Sequence, residues 1–255
     1  MYNYHNHTYR CHHAKGADED YVLSAIKNGY DTIGFSDHAP YIFPKGHKSG
    51  FRMDCSEAQG YADSVRALKD KYKNKIDIKL GFEVEYYPEL IEKELEFLKS
   101  FDYDYIILGQ HFTDNEYESY AKYSGNKTDS TAVLDKYISQ VILGAKSGEF
   151  LYVAHPDLIN FTGDRDIYKS KMRYMASELK KLGVALEFNF LGFTDKRNYP
   201  NKDFWEIVAE LGNDTVIGLD AHNPNTYDDK KNLQSAKEYL SSLGISVLEN
   251  IELKK

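Results

Sequence analysis

Imidazole is the commonest metal-ligating side chain, and several histidines of this chain stand where they could act as ligands. The run Tyr4-His5-Asn6-His7-Thr8-Tyr9-Arg10-Cys11-His12-His13 carries four of the nine histidines. Side chains alternate along an extended segment, so His5 and His7 point to one side and can grip a single ion. His12 and His13 follow in the turn leaving that segment and compete for one role over the same mouth. Farther along, His38, Glu83, His111, His155, Asp220 and His222 each lie at or just beyond the end of a run with strand character. One histidine so placed would be an ordinary hydrogen-bonded residue. Six units ending in candidate ligands, counting the first with His5 and His7, point instead to a metal centre. His47 has no such placement and reads as a solvated loop residue.

The elements that must position these residues alternate regularly. Strands are predicted over residues 2–7, 32–36, 76–85, 105–109, 151–154, 184–189 and 216–219. Helices are predicted over 18–28, from a Ser56/Gln59 capping box to about 72, from Pro88 through Leu98, around 133–142, over 168–182, over 204–211, and around 233–243. In the third strand Ile76, Ile78, Leu80, Phe82 and Val84 share one face, whereas Gly81, Glu83 and Glu85 share the other. Residues 39–54 form a loop too long for a routine connection, a length that tends to serve function. The segment 190–200 is read as a second loop, holding Arg197. Strand-helix alternation implies a parallel sheet, and about seven units without a linker favour one domain, residues 1–255, closed into a distorted (β/α)7 barrel. An open doubly wound sheet is the alternative, but no Gly-rich phosphate loop follows the first strand. The C-terminal ends of parallel barrel strands share one face, so the candidate ligands would converge there.

Composition narrows the function. The formal charge is −8, with no block of Lys and Arg, which argues against a nucleic-acid surface. No apolar run approaches the roughly 18 residues of a membrane span, and no signal-like segment opens the chain, so a cytoplasmic location without a membrane partner is expected. Cys11 and Cys55 are the only cysteines, too few for a disulfide framework.

The motifs His5-x-His7-Thr8, Cys11-x-His13, Ser36-Asp37-His38, Gly81-x-Glu83, His111, His155-Pro156 and Asp220-x-His222 together resemble the polymerase and histidinol phosphatase (PHP) superfamily, in its order along the chain. Arg52-Met53 and the stretch Asn189 to Arg197-Asn198-Tyr199-Pro200 look like the monofunctional histidinol-phosphate phosphatases within it. The resemblance implies three divalent metal ions, Zn, Mn or Fe. His5, His7, Glu83 and Asp220 would hold the first; Glu83, bridging, with His111 and His155 the second; His13, His38 and His222 the third. Three such ions would bring the formal charge to about −2.

The activity expected is hydrolysis of a small phosphate ester, L-histidinol phosphate above others, by a hydroxide bridging two metals. Arg197, with Arg52, would clamp the phosphate, and Asp37 would orient His38 or a water. Glu85, Asp54 and Phe43 would supply the acidic, aromatic pocket for the amine and imidazole of the substrate. The rival readings are a phosphoesterase for another small phosphate or a nucleotide, and a non-catalytic metal-binding barrel.

Overall fold

Short aliphatic and β-branched runs become seven strands, all parallel. In the computed structural model, which describes residues 1–253, these are β1 (Tyr2–Asn3), β2 (Thr32–Phe35), β3 (Asp77–Val84), β4 (Tyr105–Leu108), β5 (Tyr152–Val153), β6 (Ala185–Asn189) and β7 (Thr215–Gly218). Each strand pairs with the next in sequence, in the order β1-β2-β3-β4-β5-β6-β7. Parallel neighbours need a crossover, and helices supply it. These are α1 (Asp18–Lys27), α2 (Ala58–Tyr72), α3 (Ile91–Lys99), α4 (Thr131–Lys146), α5 (Arg165–Lys181), α6 (Phe190–Asp195), α7 (Lys202–Leu211) and α8 (Lys230–Ser242).

The sheet closes on itself at the rim. Beyond the ends of β1 and β7, the His7 amide donates to the Ala221 carbonyl at 3.0 Å and the Ala221 amide to the His5 carbonyl at 3.1 Å. The same backbone that carries His5, His7 and Asp220 therefore completes a distorted seven-stranded barrel, as the alternation implied. β1 is shorter than the predicted 2–7, and side-chain amides take over part of the pairing beyond Asn3. Asn6 Nδ2 donates to the Gly34 carbonyl at 2.6 Å, and Asn3 Oδ1 accepts from the Leu219 amide at 2.9 Å.

Two apolar layers frame the barrel wall. Outward side chains of the strands, among them Ile78, Leu80, Phe82 and Val84, pack under the helices; Trp205 of α7 meets Phe188 edge to face with centroids 5.0 Å apart. Inside the barrel, Tyr4, Tyr105, Ile107, Tyr152, Ala185 and Val216 fill the lower half, and Leu248, Ile251 and Leu253 of the C-terminal segment pack against them. The upper, C-terminal half of the interior holds buried polar groups, among them His5, His7, Glu83, His155 and Glu187.

Local differences from the pattern have local causes. α2 starts without the Ser56/Gln59 box; the Glu57 carboxylate instead accepts from the Asp54 amide at 2.9 Å. α5 begins three residues before the expected 168 because Asp164 caps it, accepting from the Asp166 and Ile167 amides. Residues 190–195 are helical rather than loop, since Asn189 Oδ1 caps the Gly192 amide at 2.8 Å.

Candidate metal centre

Glu83, fully buried near the end of β3, is the point on which the histidines converge. His155 Nε2 lies 2.8 Å and His111 Nε2 3.6 Å from its Oε1. His38 Nδ1 lies 2.9 Å from Oε2, and His5 and His7 Nε2 each 3.6 Å. Asp220 Oδ1 faces His7 Nε2 at 3.0 Å and His5 Nε2 at 3.5 Å. His222 stacks on His7 with centroids 4.0 Å apart and on His13 at 4.5 Å.

Two glycines make room for buried carboxylates. A Cβ on Gly109 would fall 1.9 Å from Glu83 Oε1, and one on Gly218 would fall 2.0 Å from Glu187 Oε2. Two rim residues, His155 (φ 31°) and Asp220 (φ 49°), hold left-handed backbone conformations uncommon outside glycine. Such conformations persist where surrounding packing over-determines them, and they cluster at functional sites.

The outer nitrogens of five of the rings are tied down. His5 Nδ1 meets Glu187 Oε2 at 2.7 Å, His111 Nδ1 meets Glu85 Oε1 at 2.8 Å, and His7 Nδ1 meets Asp37 Oδ1 at 3.4 Å. His13 and His222 direct Nδ1 to the carbonyls of Cys11 and Asp220, at 2.6 and 3.0 Å. A ring whose Nδ1–H is donated outward presents its Nε2 lone pair inward, the arrangement that metal-ligating histidines adopt.

The fit to a cation rests on what these inner atoms lack. His5 Nε2, His7 Nε2, His38 Nδ1, His222 Nε2 and Glu83 Oε2 are buried without an aligned hydrogen bond, although His7 Nε2 lies 3.0 Å from Asp220 Oδ1 and His38 Nδ1 2.9 Å from Glu83 Oε2. Buried polar atoms are nearly always satisfied, so a cluster of poorly aligned donor atoms facing one point fits a cation between them. The triples His5/Glu83/His155, His5/His7/Asp220 and His7/His38/His222 each keep their donor atoms within 4.8 Å of one another. Imidazole and carboxylate together suit divalent cations of the zinc, manganese and iron group.

Protonation follows the same field. Burial alone would raise the carboxyl of Glu83, but His111, His38 and His5 hold it well below the usual carboxylate range. Burial would likewise lower the imidazole of His5, yet Glu187, Asp220 and Glu83 outweigh it and lift the ring well above its ordinary value. His7 rises to about 9, through Asp220 and Asp37 acting against burial, whereas burial and the nearby His7 push His222 down to about 3.

A cavity of about 300 Å³ opens above the centre. His13, His38, His111, Asp220 and His222 form its floor, and Phe51, Phe112, Tyr123, Tyr199 and Arg197 its walls. Arg197 donates to Tyr199 Oη and Asp195 Oδ2, both at 3.0 Å, and its side chain is 39% exposed. His13 is the histidine of the adjacent pair that reaches this cavity. His12, in a left-handed conformation that ends the preceding turn, is exposed and does not line it.

Several expected roles meet different neighbours. Arg52 is fully enclosed rather than free to clamp a phosphate: it donates to the Ala39 carbonyl at 2.8 Å, Glu85 Oε2 at 3.0 Å and Glu116 Oε2 at 2.8 and 3.1 Å. Glu85 is buried between His111 and Arg52, with no face toward the cavity. Asp37 stands behind His7, accepting also from the Thr8 and His38 amides, so it does not reach the reacting centre. Phe43 and Asp54 line a separate surface depression. Glu187 escaped the sequence reading; its signal was the inward alternation Ala185, Glu187, Asn189 along β6.

A parallel barrel with an imidazole and carboxylate cluster at its C-terminal rim defines a metal-binding (β/α) barrel class. The chain belongs to the PHP domain family, whose model matches residues 3–190. It is 29% identical over 227 residues to a Deinococcus radiodurans protein named "Probable histidinol-phosphatase", covering 86% of this chain and 85% of that one. A Schizosaccharomyces pombe protein of the same name is 26% identical over 267 residues, covering 95% and 86%. Among solved structures, the histidinol phosphate phosphatase of Lactococcus lactis, complexed with zinc, L-histidinol and phosphate, superposes with a TM-score of 0.74 at 20% identity, covering 100% of this chain and 98% of that one. Among the described residues no helix is long and apolar enough to cross a membrane.

Proposed function

We propose that this chain is a metal-dependent phosphatase that hydrolyses L-histidinol phosphate to L-histidinol and phosphate. The observation that carries the reading is the convergence of five imidazoles on Glu83 beneath a small cavity with an arginine in its wall. The names of the relatives point to this substrate.

Three ions would be held, one by His5, His7, Glu83 and Asp220, one by Glu83, His111 and His155, and one by His13, His38 and His222. A carboxylate has two oxygens and can serve two ions, and Glu83, with His111 and His155 on Oε1 and His5 and His7 on Oε2, would serve the first two. Zinc is the ion named for the Lactococcus structure and suits this donor set, as do manganese and iron. Divalent ions supply charge neutralisation for a phosphate ester and the Lewis acidity that makes water nucleophilic at neutral pH.

The chain's own residues do the rest. Arg197 presents a planar guanidinium at the cavity wall and would take a phosphate oxygen by charge-assisted hydrogen bonds. Phe51, Phe112, Tyr123 and Tyr199 offer ring faces to the substrate's imidazole and keep bulk water from the floor. Asp37, Glu85 and Glu187 hold His7, His111 and His5 in orientation. The cavity volume suits a small ester rather than a polymer.

The test is phosphate release from L-histidinol phosphate set against a panel of sugar phosphates, nucleotides and diesters. We expect kcat/KM for L-histidinol phosphate on the order of 10⁴ M⁻¹ s⁻¹ or more, above every other ester. Preference for another ester would replace the substrate, and metal-loaded protein inert toward all of them would leave a non-catalytic barrel.

A further inference from the structure

Arg52 has no place in the cavity, yet it is among the largest fully buried side chains of the protein. It enters from the long loop, residues 39–54. One branch of its guanidinium meets Glu85 Oε2 at 3.0 Å while the other oxygen of Glu85 meets His111 Nδ1 at 2.8 Å. The remaining nitrogens donate to Glu116 of the second long connection, between β4 and α4, at 2.8 and 3.1 Å. Aromatic rings close around it, with Phe51 at 4.4 Å, Tyr41 at 5.3 Å and Phe43 at 5.8 Å from the guanidinium carbon.

The two segments it joins both build the cavity wall. Phe51, the residue before Arg52, lies edge-on to His38 with centroids 5.0 Å apart and stacks on Phe112 at 5.7 Å. Phe112 pairs with Tyr123 across an antiparallel bridge inside the Glu116 connection. Without the guanidinium, Glu85 would keep a buried charge with His111 as its remaining ion-pair partner, and Glu116 would lose its tie to the barrel. Glu116 would keep only the longer contact to His47 Nε2 at 3.8 Å; removing the main partner of a buried charge is strongly destabilising, so both carboxylates would shift.

We propose that Arg52 is a positioning residue with two outputs: through Glu85 it sets the His111 ring against the metal centre, and through Glu116 it straps the second loop over the cavity. The inference rests on the metal-centre reading above. Its two outputs separate by variant. Arg52→Met weakens one metal site by about 10–100-fold, seen as loss of about one ion per chain under chelator competition with elemental analysis, and also raises KM. Glu116→Gln leaves the Arg52–Glu85 pair, so metal content stays at the wild-type value while KM rises several-fold.

A double-mutant cycle tests the route and guards against simple misfolding, since Arg52→Met with Glu85→Gln removes both charges of the pair. If Arg52 acts through Glu85, the double variant binds metal no more weakly than Glu85→Gln alone. Additive losses, or wild-type metal affinity in Arg52→Met, would overturn the proposal while leaving the metal centre standing. Wild-type protein that takes up no divalent metal would remove the metal centre and this inference together.

Discussion

Gly109→Ala is the smallest change that should disable the centre. Gly109 is itself no ligand and carries no side chain, but its Cα packs against Glu83. The added methyl would sit 1.9 Å from Oε1, 2.5 Å from Cδ and 2.7 Å from Cγ, where ordinary contact begins at 3.4 Å. Glu83 must therefore retreat by about 1.5 Å, and it is buried with rings on both of its oxygens, so no open direction exists. Overpacking of this kind costs roughly 1–3 kcal/mol of stability. A displacement near 1 Å at a reacting centre costs on the order of 10²-fold in rate, and here it strikes the group proposed to serve two ions. The matched control is Gly60→Ala in α2, where the new methyl meets nothing within 4 Å and a helical Gly-to-Ala change adds about 0.5–1 kcal/mol. Phosphate release, metal content and thermal midpoint are measured on both variants. Gly109→Ala with full metal content and wild-type turnover would show that Glu83 is not held where the reasoning needs it.

Four further outcomes follow from the same geometry. Gly218→Ala should push Glu187 off His5 and lower metal affinity by about 10–100-fold, read by chelator competition; unchanged affinity would count against an orienting role for Glu187. Glu83→Ala should abolish turnover and remove more than one ion per chain, and elemental analysis showing full occupancy would refute bridging. Arg197→Ala should lower kcat/KM on the order of 10²–10³-fold with metal content unchanged, and steady-state kinetics equal to wild type would take it out of the site. In metal-free protein His7 keeps its proton up to about pH 9, so a cation must expel that proton. Affinity should then rise as pH climbs toward about 9 and fall below it, with protons released on binding. Calorimetric titration in two buffers of different ionisation heat checks this; affinity independent of pH would contradict it.

What sequence alone could determine here is set by a simple regularity. In a parallel barrel every strand ends on the same rim, so a residue's place relative to its own strand already tells which end of the molecule it reaches. His5, His7, His38, Glu83, His111, His155, Asp220 and His222 were legible for that reason, although 217 positions separate the first from the last. Local patterns also sufficed for the two faces of β3, where apolar residues and carboxylates alternate. The choice between His12 and His13 was not legible, because it turns on one left-handed backbone conformation at His12.

Tertiary structure alone decided which carboxylate backs which ring. Glu187 lies 182 positions from His5 and Asp37 lies 30 from His7, and only strand register and the twist of the closed sheet bring them together. Arg52 shows the same limit from the other side. Its type and its place in a long loop read as a phosphate clamp, but a guanidinium goes wherever paired carboxylates are offered, and Glu85 and Glu116 offer them beneath the surface. Position along a strand is a local property that the chain carries with it, whereas the partners of a charge are chosen by the residues that packing leaves beside it.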